Sequence, residues 1–239
     1  MDMCGKVALV TGGGARIGRA LCEALAGQGC AVVVHYRRSR KEALDLARRL
    51  EAAGGRSRAI RGALDTQASC ERLVSQAFKA FGRLDVLVNN ASSFDRTDFR
   101  HVRGPELDSA FSINLKAPIL LTRAFVARAR RGRVLNLLDT RISGHAPGYM
   151  AYLLSKQGLA DFTRAAALEL APDFTVNAVA PGPVLAPDRG SRSAREKAGA
   201  IPLRRRPSPG DVASAALFLL GGDAITGQIV YVDGGQNLL

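Results

Sequence analysis

Short apolar runs rich in β-branched residues alternate along the chain with segments whose apolar positions recur every three to four residues. The first pattern predicts strands near 6–11, 31–36, 57–61, 84–89, 133–138, 174–179 and 228–232. The second predicts helices near 16–29, 40–53, 67–81, 106–130, 151–171 and 211–220. Runs such as Val32-Val33-Val34 and Val86-Leu87-Val88 are apolar on both faces of a strand, as parallel strands covered by helices on either side require. The pattern therefore predicts a doubly wound, right-handed α/β sandwich with one parallel sheet of about seven strands. One stretch, about 183–200, is poorly patterned and contains Pro, Gly, Ser and Arg, which predicts a mobile substrate loop.

Composition narrows this picture. With 239 residues and 47% hydrophobic content, the chain can bury one sizeable core, and a single domain spanning 1–239 is expected. The apolar run from Val7 to Val10 breaks at glycines, too soon for a signal peptide or membrane span, so a soluble cytoplasmic protein with no membrane partner is expected. Cys4, Cys22, Cys30 and Cys70 show no C-x-x-C spacing and no nearby histidine pair, which predicts reduced thiols and no metal. The net charge of +13 would suit nucleic acid, yet the basic residues are spread along the chain and Trp is absent. Only six of the 34 basic residues are lysine, so arginine bias explains the charge and no nucleic-acid partner is expected; Arg204-Arg205-Arg206 fits no motif.

In such sheets ligands bind beyond the carboxyl ends of the strands. The first strand runs into Thr11-Gly12-Gly13-Gly14-Ala15-Arg16-Ile17-Gly18 and then a helix, a tight turn whose amides and helix N-terminus suit a pyrophosphate. Its place after the first strand and before a helix predicts a Rossmann-type dinucleotide site at Gly12, Arg16, Ile17 and Gly18; the competing reading is a plain structural turn. The end of the second strand selects the dinucleotide: a carboxylate holds the ribose hydroxyls of NAD, whereas arginine accepts the 2′-phosphate of NADP. Here it reads His35-Tyr36-Arg37-Arg38-Ser39, with no acid before Glu42, which predicts NADPH held at Tyr36, Arg37, Arg38 and Ser39. The competing reading is a solvated basic helix start, although cations are mildly unfavourable there.

Tyr152 and Lys156 lie at i and i+4 on a predicted helix, so one face carries a phenol and an ammonium that would lower the tyrosine pKa. With four Tyr and six Lys, the spacing arises by chance in about one such sequence in ten. Pro118, inside the long predicted helix, has no N–H, so the carbonyl of Asn114 loses its partner. That carbonyl either holds a water beside Lys156 and extends a proton relay, or marks a kink used only for packing.

Together these residues resemble the short-chain dehydrogenases/reductases over nearly the whole chain. The Gly-rich turn, Asp65, Asn89-Asn90-Ala91, Asn114, Tyr152/Lys156, Pro181-Gly182 and Val232-Asp233-Gly234-Gly235 carry the likeness. The resemblance implies that Asp65 contacts the adenine with Thr66 beside it, and that Asn90, Ala91 and Ser92 line the cofactor. It also implies that Pro181, Gly182 and Lys156 lie at the nicotinamide, and that the chain forms homotetramers. Asp139 stands where the family's catalytic serine is expected, thirteen residues before the tyrosine. That substitution is similar to the pteridine reductases, which also carry Arg at the position of Arg16 and a run matching Asn90-Ala91-Ser92-Ser93-Phe94.

By this resemblance NADPH reduces a C=N bond of a pterin, of the dihydrobiopterin, dihydromonapterin or dihydrofolate type. Tyr152, assisted by Asp139 and Lys156, protonates the ring nitrogen. Phe94 stacks on the flat bicycle, and Ser92 and Arg16 bond its polar edge and the phosphates. Phe94 as a loop anchor and Arg16 as a phosphate clamp alone are the competing readings. After Phe94 the likeness weakens at Asp95-Arg96-Thr97-Asp98, and the 183–200 stretch holds no aromatic residue, which leaves the side chain of the substrate open. Rival functions are reduction of a 3-oxoacyl thioester, which prefers serine at position 139, and a catalytically weak NADPH-sensing or nucleic-acid-binding protein.

Overall fold

Seven short apolar runs become seven strands, because alternate residues of each find helices on opposite faces of one sheet. The computed structural model describes residues 2–96, 98–144, 146–184 and 201–239; most of the expected loop at 183–200 lies outside the described residues. In chain order the main elements are β1 (Val7–Val10), α1 (Arg16–Gly27), β2 (Ala31–Tyr36), α2 (Arg40–Ala52), β3 (Ser57–Arg61), α3 (Gln67–Phe81) and β4 (Val86–Asn89). There follow α4 (Gly104–Phe111), α5 (Ala117–Val126), β5 (Gly132–Leu137), α6 (Met150–Glu169), β6 (Phe174–Pro181), α7 (Pro209–Gly221) and β7 (Ile229–Val232). The strands form one parallel sheet in the order β3-β2-β1-β4-β5-β6-β7. The order reverses between β1 and β4, which opens a crevice at their carboxyl ends.

Strand alternation sorts the core into two layers. Ala8, Val10, Val32, Val34, Val86 and Val88 pack with Leu21 and Leu25 of α1 and with Val212, Ala216 and Leu219 of α7. Their neighbours Val7, Leu9, Val33 and Leu87 face Leu73 and Val74 of α3 and Leu121 and Phe125 of α5. Each fully buried Leu or Val contributes about 1.5–3 kcal/mol, so the two layers hold the sheet's register firmly beneath the crevice. A buried polar chain adds direction: Asn89 Nδ2 donates to Asn136 Oδ1 at 2.9 Å, and Asn136 Nδ2 donates to Thr163 Oγ1 at 2.9 Å. It ties β4 and β5 to α6, the helix of Tyr152 and Lys156.

The strand positions agree with the sequence pattern to within two residues, but the continuous helix expected at 106–130 is corrected. It is α4, a π-helical segment Ser112–Lys116, and α5, which ends at Val126. The Ala117 amide bonds the carbonyl of Ser112, five residues back, and Pro118 has no N–H to give Asn114. The turn widens there, and Asn114 is fully buried at its centre.

Candidate active site

The crevice gathers the expected residues because each follows the carboxyl end of a strand. The Gly-rich turn follows β1, Tyr36 to Ser39 close β2, Asp65 and Thr66 follow β3, Asn90 to Phe94 follow β4, and Asp139 follows β5. Pro181 and Gly182 close β6.

Thr11 and Asn90 lock the turn. Thr11 Oγ1 accepts from the Asn90 and Ala91 amides at 2.9 and 3.0 Å, and Asn90 Nδ2 donates to the Thr11 and Gly12 carbonyls at 2.8 and 3.1 Å. Gly12 has φ +62°, and a Cβ on Gly18 would stand 2.3 Å from the Gly12 oxygen, so neither position admits a side chain without displacement. Arg16 is exposed and also left-handed, at φ 53°, which stores of order 1–3 kcal/mol of strain at the start of α1. The sequence assigns no task to His35, yet its buried ring braces the turn. The Gly12 amide donates to Nδ1 at 3.2 Å, so Nε2 carries the proton toward the Gly62 carbonyl at 3.2 Å. Burial holds its pKa down at about 4, and the ring is neutral.

At the end of β2, Arg37, Arg38 and Ser39 are exposed while Tyr36 is buried. Thr66 caps α3 by accepting the Ser69 amide at 3.1 Å, and Asp65 accepts from Ser69 Oγ at 3.2 Å. Gly182 packs so closely on Asp233 that a Cβ would fall 2.8 Å from that residue's own Cβ.

The chemical end is compact. Tyr152 donates its hydroxyl to Asp139 Oδ2 at 2.9 Å, and Asp139 Oδ1 accepts the Arg141 amide at 2.9 Å. Lys156 is buried, donates Nζ to the Leu137 carbonyl at 2.6 Å, and lies 5.9 Å from the centre of the Tyr152 ring. Spacing alone predicts that Lys156 lowers the Tyr152 pKa, and the structure reverses that direction. Burial first, then the adjacent Asp139 carboxylate, pushes the phenol well above its ordinary value, against a smaller downward pull from Arg141. The ammonium is itself desolvated to a pKa of about 8, opposed by Asp139. Tyr152 is thus a protonated donor.

Asn114 serves the site through its side chain. Oδ1 accepts from Ser92 Oγ at 2.9 Å and the Ser93 amide at 3.0 Å, while Nδ2 donates to the Ser93 carbonyl at 3.1 Å and Ser155 Oγ at 3.0 Å. All four bonds clamp the loop after β4 onto α6, one residue before Lys156. Phe94, half exposed, meets Tyr152 edge-on at 4.8 Å and stacks on Tyr149 at 4.9 Å and 18°. Sequence reasoning missed Tyr149 and Arg141, and it named Arg96 and Asp233 without giving either a role in the site. Thr140 Oγ1 donates to the buried Asp233 carboxylate, which also accepts the Gly235 and Asn237 amides at 2.8 Å each. This pins the segment beginning at Asp139 to the C-terminal turn. The available signal was the scarcity of aromatics, 13 in 239 residues, three of which stand within thirteen positions of Asp139 or at Phe94.

A model of the family described as Enoyl-(Acyl carrier protein) reductase matches residues 14–237. The chain is 34% identical over 278 residues to pteridine reductase 1 of Leishmania tarentolae, covering 97% of this chain and 96% of that protein. It is also 34% identical over 238 residues to a 3-oxoacyl-(acyl-carrier-protein) reductase of Synechocystis sp., covering 97% and 96%. Among solved structures it is similar to FolM alternative dihydrofolate reductase 1 from Brucella canis complexed with NADP. The TM-score is 0.94 at 33% identity, covering 100% of this chain and 96% of that one.

Proposed function

The chain belongs to the short-chain dehydrogenase/reductase family, and on that premise we propose that it is an NADPH-dependent reductase acting on a C=N bond of a pterin. The residues present fit the cofactor. The turn can close tightly because Gly12 and Gly18 carry no Cβ to strike Ala91, Asn90 or the Gly12 carbonyl, a turn suited to a pyrophosphate, and β2 ends in exposed guanidiniums where an NAD site needs a carboxylate. Gly12, Arg16, Ile17, Gly18, Asn90, Ala91 and Ser92 would hold the central phosphates and ribose. Tyr36, Arg37, Arg38 and Ser39 would hold the 2′-phosphate, and Asp65 and Thr66 the adenine. Tyr152, Lys156, Pro181 and Gly182 would hold the nicotinamide end. When bound, NADPH supplies the hydride.

One observation carries the pterin reading: the Tyr152 hydroxyl bonds the Asp139 carboxylate. A serine at position 139 would offer a neutral hydroxyl suited to a ketone oxygen. A carboxyl group can instead take up a proton and return it to Tyr152 as the phenol protonates a ring nitrogen. Phe94, half exposed, would stack on the flat bicycle, and Ser92 and Arg16 would bond its polar edge and the cofactor phosphates. Asn114 fixes the loop that carries Ser92 and Phe94, and its main-chain carbonyl remains the candidate start of a relay to solvent.

The relative from Synechocystis, equal in identity to the pteridine reductase, favours a second reading, reduction of a 3-oxoacyl thioester. NADPH oxidation with dihydrobiopterin, dihydromonapterin, dihydrofolate and acetoacetyl thioester separates the two. Turnover of a dihydropterin, inhibited by methotrexate, is expected; turnover of the thioester alone would overturn the pterin reading.

A further inference from the structure

Three rings stand in a row at the mouth of the crevice. Tyr152 meets Phe94 at 4.8 Å, and Phe94 stacks on Tyr149 at 4.9 Å. Two guanidiniums lie against these rings: Arg141 lies 5.1 Å from the Phe94 centroid and 4.9 Å from that of Tyr149, and Arg96 lies 5.8 Å from Tyr149. A guanidinium laid against an aromatic face keeps its in-plane N–H groups free, the geometry in which it takes a carboxylate bidentately.

Asp139 is ion-paired with Arg141 through Nε at 3.6 Å, and its oxygens also accept the Tyr152 hydroxyl and the Arg141 amide. Asp98 is engaged by the Arg100 amide and the His101 ring, and Asp95 is exposed beside Arg96 in sequence. Among the described residues no carboxylate is ion-paired with Arg96.

We propose that Arg96 and Arg141, seated on the Phe94–Tyr149 pair, form a cationic rim that receives the carboxylates of the substrate's side chain, so that the preferred pterin carries an acidic tail. This rests on the pterin reading above. The reacting ring must touch the Tyr152 hydroxyl, and a substituent leaving that ring over Phe94 and Tyr149 passes the two arginines that lie against those rings. A neutral polyol substituent brings no counter-charge to them; a dicarboxylate does.

The test compares kcat/KM for dihydrofolate, which has a dicarboxylate tail, with that for dihydrobiopterin, whose side chain is neutral. The wild-type protein is expected to favour dihydrofolate. The double variant Arg96→Ala/Arg141→Ala should lower the ratio by about tenfold or more, carried by KM for dihydrofolate. Arg96→Lys/Arg141→Lys should restore part of it, and added salt should lower the ratio only while the charges are present. A ratio unchanged by the double substitution overturns the proposal. If neither pterin turns over, the pterin reading falls separately, and p-aminobenzoylglutamate, the tail alone, decides by calorimetry on the NADP-loaded protein. Binding weakened at least tenfold in the double variant supports the rim; binding that is absent or unaffected overturns it.

Discussion

At the scale of single residues, the site is a protonated phenol held between an acid and a buried ammonium. Below about pH 8 Lys156 keeps its charge, and above it the neutral form prevails, because burial has lowered its pKa. The kcat/KM profile is therefore expected to fall as pH rises through about 8, and Lys156→Arg, charged at every pH tested, should be slower but lose that limb. A wild-type profile flat to pH 9.5 would exclude the role given to Lys156. The i,i+4 spacing made Tyr152 and Lys156 legible in the sequence, since a helix has one geometry at that separation. The direction of the tyrosine's shift was not legible. It depends on Asp139, which reaches the hydroxyl across the gap between β5 and α6, and no local period reports such a contact. Arg141 and Tyr149 were invisible for the same reason.

At the scale of elements, the Gly-rich turn and the widened turn before α5 do the positioning. Gly18→Ala drives a Cβ to 2.3 Å from the Gly12 oxygen, so the turn must open. Overpacking of this kind costs roughly 1–3 kcal/mol, and NADPH affinity should fall about 10- to 100-fold, read by fluorescence titration, with the far-ultraviolet spectrum unchanged. Arg37→Ala should instead narrow the preference for NADPH over NADH while leaving NADH binding intact, which a titration with each cofactor checks. The strands and most helices were legible because buried parallel strands and amphipathic helices leave opposite periods. The segment at 106–130 was not, because Pro118 signals a lost bond and the sequence does not say whether the helix kinks or widens. The π-helical answer is set by Asn114, whose side chain is anchored on both the β4 loop and α6.

At the scale of the whole molecule, stability and reaction meet at the same edge of the sheet. His35 ties the turn after β1 to Gly62 after β3 as a neutral ring. Its folded pKa, about 4, lies below the unfolded value of 6.5, so its contribution is complete above pH 6.5 and is lost as pH falls through 4. Denaturant melts should show up to about 3 kcal/mol less stability from this residue at pH 4 than at pH 7, and His35→Asn should flatten that part of the loss. The family expectation of a homotetramer is checked by light scattering of the same preparation. In the proposed function Asp139 turns the proton route of Tyr152 and Lys156 toward a ring nitrogen, and Asp139→Ser removes that carboxyl group. With a dihydropterin and NADPH, kcat/KM is expected to fall about 100-fold or more in this variant while the NADPH dissociation constant is unchanged. Dihydropterin turnover at the wild-type rate in Asp139→Ser would contradict it.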